Sequence, residues 1–224
     1  MALIAGSSLF PAWNAHSQVI TNPGFELGTS SPTGWGIVVS GSTVATWVSG
    51  VAGGAVYEGT HAVSITNPDK GTFANRWNLL SANRISLTEG QSFNIALYAK
   101  GTNLDLTGGI NEQDGFAIGL IYYNASNTQV GTWQSSAVSF TMNDTWTQFS
   151  FETAAAPTGA ATAVLQLVYR RPLTVTSGAD AAITWDSLSL IAVPEPGSFA
   201  LLGVGMVIVG YRNRKVWARL AAKI

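Results

Sequence analysis

The chain has 224 residues, of which only 10% are charged, with a net charge of -1 and no cysteine. Phosphate neutralisation requires clustered Lys and Arg on the folded body, so this balance excludes nucleic-acid binding as the main role. The missing cysteines exclude a disulfide framework, thiolate metal sites and cysteine nucleophiles together. The length leaves room for one domain of about 150–180 residues with a proper core.

Residues Met1 to Ser17 open with an apolar run, Ala2 to Phe10, and close on Ala15-His16-Ser17. The small-x-small ending is the pattern signal peptidase cuts, which predicts a signal peptide over 1–17 and cleavage before Gln18. No Lys or Arg precedes the apolar run, so the expected signal lacks its usual cationic start.

Between Gln18 and Ala192, apolar residues alternate in short runs broken by Gly, Asn, Asp and Pro, and no helical period is sustained. The alternation predicts strands at Trp35–Val39, Thr43–Val48, Ala62–Thr66, Phe73–Leu80, Ser92–Ala99, Phe116–Tyr123, Ser135–Thr141, Thr145–Thr153, Ala163–Arg170 and Ala182–Ile191. An all-β, two-sheet antiparallel sandwich over 18–192 accommodates them most simply. No fixed-period repeat is visible, which disfavours propellers and solenoids.

Strand parity separates core from surface. Phe93, Ile95, Leu97 and Ala99 share one face, so Tyr98 points away from them. By the same rule Tyr123 opposes Phe116 to Tyr122, and Gln166 and Arg170 oppose Leu165, Leu167 and Tyr169. Tyr98, Tyr123, Gln166 and Arg170 are therefore candidates for a common outer face where aromatic rings stack on sugars. Trp77 joins them as a ligand-binding candidate, with Arg76, Trp47 and Trp133 as further ones.

Catalysis has little to work with. Of the two histidines, His16 lies in the expected signal and His61 at the head of a strand, and neither a His-Glu-x-x-His nor a Gly-x-Ser-x-Gly motif occurs. The carboxylate pairs Glu112 with Asp114 and Asp180 with Asp186 read as loop and turn residues rather than as a hydrolytic pair about 5–9.5 Å apart.

The C-terminal end is more specific. Val193-Pro194-Glu195-Pro196 is followed by an apolar run over 198–211 and then by Arg212, Arg214 and Lys215. The prolines end any strand. As a helix the run would span about 21 Å at 1.5 Å per residue, short of the ~30 Å hydrocarbon core, which suits a transient transmembrane anchor. The cations stay cytoplasmic and leave the domain outside. This order of elements over 193–224 resembles the PEP-CTERM sorting signal of Gram-negative bacteria. The resemblance implies an exported protein processed by a membrane exosortase in a cell that makes extracellular polysaccharide or biofilm matrix. The extension Val216 to Ile224 departs from that pattern.

The domain resembles the galactose-binding-like jelly roll of carbohydrate-binding modules, through Asn22-Pro23-Gly24-Phe25-Glu26, Gly59 to Ile65, Leu87 to Lys100, Trp146 to Phe151 and Ile183 to Leu190. That resemblance implies a structural Ca2+ held by Glu26 and Asp186, brought together by pairing of the first and last strands and helped by the loop around Glu58 and Gly59. The residues alone leave open the alternative that Glu26 caps a turn and Asp186 accepts backbone hydrogen bonds with no ion. Three functions compete: a non-catalytic, matrix-associated sugar binder, a structural biofilm protein with no sugar site, and a polysaccharide hydrolase.

Overall fold

Strands with one apolar face gain most by closing that face against a second sheet, and this chain does so. The computed structural model describes residues 20–67, 72–106, 114–138, 143–171 and 180–193, and within these the side chains of all but 72–74 and 133–138. The strands are β1 (Trp35–Val38), β2 (Val44–Ser49), β3 (His61–Thr66), β4 (Thr72–Leu79), β5 (Ile85–Ser86), β6 (Ser92–Thr102), β7 (Gly115–Tyr123), β8 (Gln129–Val138), β9 (Thr147–Glu152), β10 (Thr162–Arg171) and β11 (Ala182–Val193). Each strand expected from alternation overlaps an observed one. Only β5, two residues long, carries too little pattern to be anticipated. The expected signal peptide and the apolar run over 198–211 lie outside the described residues.

The larger sheet has the order β1-β4-β10-β7-β8, with β5 also paired to β10, and the smaller sheet has the order β2-β3-β11-β6-β9. Every pairing is antiparallel. The result is an all-β jelly-roll sandwich. The first and last strands do not pair, contrary to the expectation above. β1 lies at one edge of the larger sheet, and β11 runs through the middle of the smaller one between β3 and β6.

The core between the sheets contains Phe93, Ile95 and Leu97 of β6, Phe116, Ile118 and Leu120 of β7, Leu165 and Leu167 of β10, and Trp185 of β11. Trp77 is also there, fully buried, with its indole Nε1 donating to the Ser64 carbonyl of β3 at 3.2 Å. It therefore offers no ring to a ligand, and its place among the binding candidates is corrected by the structure. Its parity with Asn75 and Leu79, both turned inward, is the reason. Replacing the indole leaves a large void and removes that hydrogen bond. Trp77→Ala is expected to lower the unfolding free energy by about 3–5 kcal/mol, read from urea denaturation. An unchanged midpoint would contradict the inter-sheet role.

Candidate functional site

The segment before β1 builds the first cluster. Asn22, in the left-handed region at φ 52°, folds its amide back on the turn. Its Nδ2 donates to the Leu27 carbonyl at 2.8 Å, and its Oδ1 accepts from the Leu27 N–H at 2.9 Å, as Asn side chains do in tight turns. The turn drops Phe25 into the core against Trp35, ring centroids 5.0 Å apart. Its next residue, Glu26, is left reaching across to the head of β3. There the Thr60 N–H donates to both carboxylate oxygens at 3.1 Å, the Thr60 hydroxyl to Oε2 at 2.8 Å and the His61 N–H to Oε1 at 3.0 Å. Gly59 suits this point, at φ 63° where L side chains are strained, and a Cβ there would sit 2.3 Å from Glu26 Oε1 and displace that carboxylate.

Asp186 sits at a bulge of β11, where the register shifts before Ser189 and Ser187 takes φ 47°. Its Oδ2 accepts from the Tyr57 and Glu58 N–H groups at 2.9 and 3.2 Å, and its Oδ1 from the Ser187 N–H at 2.7 Å. The Ser187 hydroxyl in turn donates to Glu58. The Leu188 N–H donates to the Pro23 carbonyl at 3.0 Å, which ties the bulge to the Asn22–Glu26 turn. The two carboxylates named from the sequence thus meet through a turn and a bulge rather than through paired strands.

Their electrostatics differ. Burial pushes the Asp186 carboxyl up to about 6 against the help of its three N–H donors, and the nearby Glu26 charge adds to the rise. At Glu26 burial also opposes ionisation, but the bonds from Thr60 and His61 outweigh it and leave that carboxyl below its ordinary value. As donors to a cation, the two offer the hard oxygens Ca2+ prefers. Among the described residues, however, no three acidic or His side chains gather closely enough to form a metal site by themselves, and the loop presents N–H groups to both carboxylates.

Beside this cluster, on the outer face of the smaller sheet, lies an aromatic group. Tyr98 of β6 is the register partner of Asp186 and stands half-buried on that face. Tyr57, from the loop between β2 and β3, stacks on it with centroids 3.5 Å apart and planes 11° apart. Trp146, just before β9, meets Tyr57 edge-on at 6.0 Å. Lys100 Nζ lies 5.1 Å from the Trp146 ring and donates to the Gly54 carbonyl at 2.6 Å, an acceptor shared with Trp146 Nε1. Tyr57 was not singled out from the sequence, because it stands in a loop where parity says nothing, and Trp146, expected as part of a strand over Thr145–Thr153, lies just before β9.

Tyr123, Gln166 and Arg170 lie instead on the outer face of the larger sheet, so they share no surface with Tyr98. Small residues form much of the floor of that face. Gly36, Gly115, Ala117 and Gly119 supply almost no side chain there, while Val164, Gln166 and Val168 are nearly buried although they face away from the core. Gln166 is the register partner of Asn78, whose Oδ1 is buried with no hydrogen-bond partner, as is Thr162 Oγ1 near Tyr123. Arg76 and Arg170 flank this floor, and Arg84 lies 3.7 Å over the Tyr123 ring. Of the remaining candidates, Trp47 packs against the core, stacks on His61 at 4.2 Å and donates to the Phe25 carbonyl at 2.8 Å. The side chain of Trp133 lies outside the described ones, as do Pro194, Glu195, Pro196, Arg212, Arg214 and Lys215, while Val193 ends β11.

The architecture is similar to that of known jelly-roll proteins. The enzymatically active domain of the bacteriophage CBA120 tailspike protein 4 superposes with a TM-score of 0.54 at 12% identity, over 79% of this chain and 21% of that one. This chain thus spans about a fifth of the tailspike chain. A Stig cyclase from Fischerella sp. TAU gives 0.52 at 14% identity, over 80% of this chain and 98% of that one. A module solved with β-1,4-galactotriose gives 0.46 at 18% identity, over 78% and 97%. These likenesses are of fold. At the C-terminus a family model for the PEP-CTERM protein-sorting motif matches residues 192–215. The motif indicates export and sorting at the membrane in Gram-negative bacteria, with exosortase as the processing partner. Comparison with the curated proteins found no match in sequence.

The Asp186 carboxyl fixes a pH signature. Its folded pKa, about 6, stands above the ordinary 3.8, so the folded state holds that proton more tightly than the unfolded chain. Its contribution to stability is therefore full below about pH 4 and is lost as pH rises to about 6, on the order of 3 kcal/mol by linkage. Measured in chelator as the difference between the native chain and Asp186→Asn, the stability gap should fall across that window. A gap independent of pH would mean that Asp186 is not held in this way.

Proposed function

We propose that this is an exported, matrix-associated protein that recognises extracellular polysaccharide without catalysis and is positioned by its C-terminal sorting signal. The observation that carries the reading is the pair of buried acceptors without partners on the outer face of the larger sheet. Asn78 Oδ1 and Thr162 Oγ1 are buried acceptors with unused capacity, and unsatisfied buried polar atoms call for a partner. Sugar hydroxyls donate to such oxygens, while the Gln166 amide lies opposite Asn78 in the register. A neutral polyol fits better than an anion, because the acceptors lie on the floor and the guanidinium groups at its flanks.

Hydrolysis has less support. Among the described residues of this outer face there is no carboxylate to serve as acid or base. Asp114 is buried beside Arg171 at 3.8 Å, Asp180 accepts from Asn103 Nδ2 at 2.6 Å, and Asp186 is turned into the Tyr57–Glu58 loop. Glu112 lies outside the described residues. A fold that serves both enzymes and binding modules decides nothing by itself, so the reading rests on the site. A Ca2+ ion at Glu26 and Asp186 belongs to the proposal as well, supported by the repulsion between the two carboxylates, which a cation would relieve. Added Ca2+ is then expected to raise the thermal midpoint of the native chain and reverse the pH trend of Asp186, with no effect on Glu26→Gln. An equal response in both would remove the ion from the proposal.

Recovered from the extracellular fraction of its own host, the protein is expected to have an intact mass lacking the residues beyond the Pro-Glu-Pro motif and to bind neutral polysaccharides on a glycan array. Asn78→Ala and Gln166→Ala should each weaken that binding about 3- to 10-fold, the worth of one hydrogen bond, with little change in midpoint. No binding by the native chain would favour the structural biofilm protein, and a full-length cytoplasmic mass would sink the export reading.

A further inference from the structure

A chain without cysteine has no disulfide with which to fasten its surface loops. The loop between β2 and β3 is nonetheless tied down at many points. Val56 is fully buried, Gly54 is held by Lys100 and Trp146, and Tyr57 and Glu58 are held by Asp186. Its aromatic contact with the sheet is the Tyr57–Tyr98 stack.

We propose that Tyr57 and Tyr98 form an oxidative cross-linking pair, which a one-electron oxidant of the peroxidase class joins into an intramolecular dityrosine. Two observations support it. The rings are nearly parallel at 3.5 Å, and each is only half-buried, so an oxidant can reach them. The other tyrosines are worse placed: Tyr122 and Tyr169 are fully buried, Tyr123 is covered by Arg84, and Tyr211 lies outside the described residues.

The chemistry balances. Each phenol gives one electron and one proton to the oxidant, and the two electrons and two protons reduce one hydrogen peroxide to two waters. The paired phenoxyl radicals form a carbon–carbon bond between an ortho position of each ring. Coupling of this kind proceeds through the ring faces, so a stack is the arrangement it needs. Each joined carbon then loses its hydrogen as a proton, and a proton returns to the ring oxygen to restore the phenol. The product is the folded chain less two hydrogens, with the loop that carries Glu58 and Gly59 covalently fixed to β6. The inference is independent of sugar recognition.

The purified chain, treated at low concentration with a peroxidase and hydrogen peroxide, is expected to give a monomer lighter by two hydrogens. It should show dityrosine fluorescence and a linked peptide pair containing Tyr57 and Tyr98. Tyr57→Phe, on the loop, and Tyr98→Phe, on the sheet, should both lose that monomeric product, while Tyr123→Phe keeps it. Dityrosine confined to dimers, mapped to any other pair, or persisting in Tyr57→Phe would overturn the proposal. So would the absence of a monomeric cross-link in the native chain.

Discussion

The sandwich depends on Trp77. Its side chain leaves β4 in the larger sheet, crosses the core and donates to the main chain of β3 in the smaller one. Apolar burial presses the two sheets together but is indifferent to their exact placement. A directional bond through the middle of the core is not. The carbonyl it uses belongs to Ser64, whose hydroxyl donates to the Ile183 carbonyl and accepts from Thr184. One indole therefore fixes the position of β3, and through it that of β11, against the opposite sheet. Since β11 carries Asp186, the carboxylate cluster inherits its position from that bond.

Strand parity made most of this architecture legible in advance. Runs such as Phe93, Ile95, Leu97 and Ala99 admit only one inward face, and the structure buries all four. Parity distinguishes inside from outside but carries no information about sheet membership. Tyr98 and Tyr123 have the same relation to their neighbours and yet lie on opposite faces of the molecule, because β6 and β7, consecutive in sequence, belong to different sheets. For Trp77 the signal was present and underused, since Asn75 and Leu79 on the same side of the strand are both buried. Tyr57 gave no signal at all, because its position follows from loop conformation around Asp186 rather than from any period.

Glu26 and Asp186 come near each other by a route other than the expected pairing of the first and last strands. A carboxylate in an Asn-Pro-Gly turn and another in a long final strand are recognisable as a pair only by likeness to other jelly rolls. The means of their meeting, left-handed residues at Asn22, Phe25 and Ser187 together with a bulge, are local distortions that composition does not forecast. The sorting signal is the opposite case. Its information is linear, a proline pair followed by an apolar run and cations, and so it can be read without any fold.

The central place of β11 has a mechanical consequence. The sorting tail continues directly from Val193, the last residue of a strand paired with β6 from Ala182 to Val193 and with β3 from Ala182 to Trp185. A load applied through the tail along the axis of that strand enters as shear. It must strain the β6 ladder first and then, at the far end of the strand, the β3 ladder as well, whereas an edge strand peeled sideways would release its bonds one at a time. The tail thus leaves the sandwich from a strand that lies inside the smaller sheet.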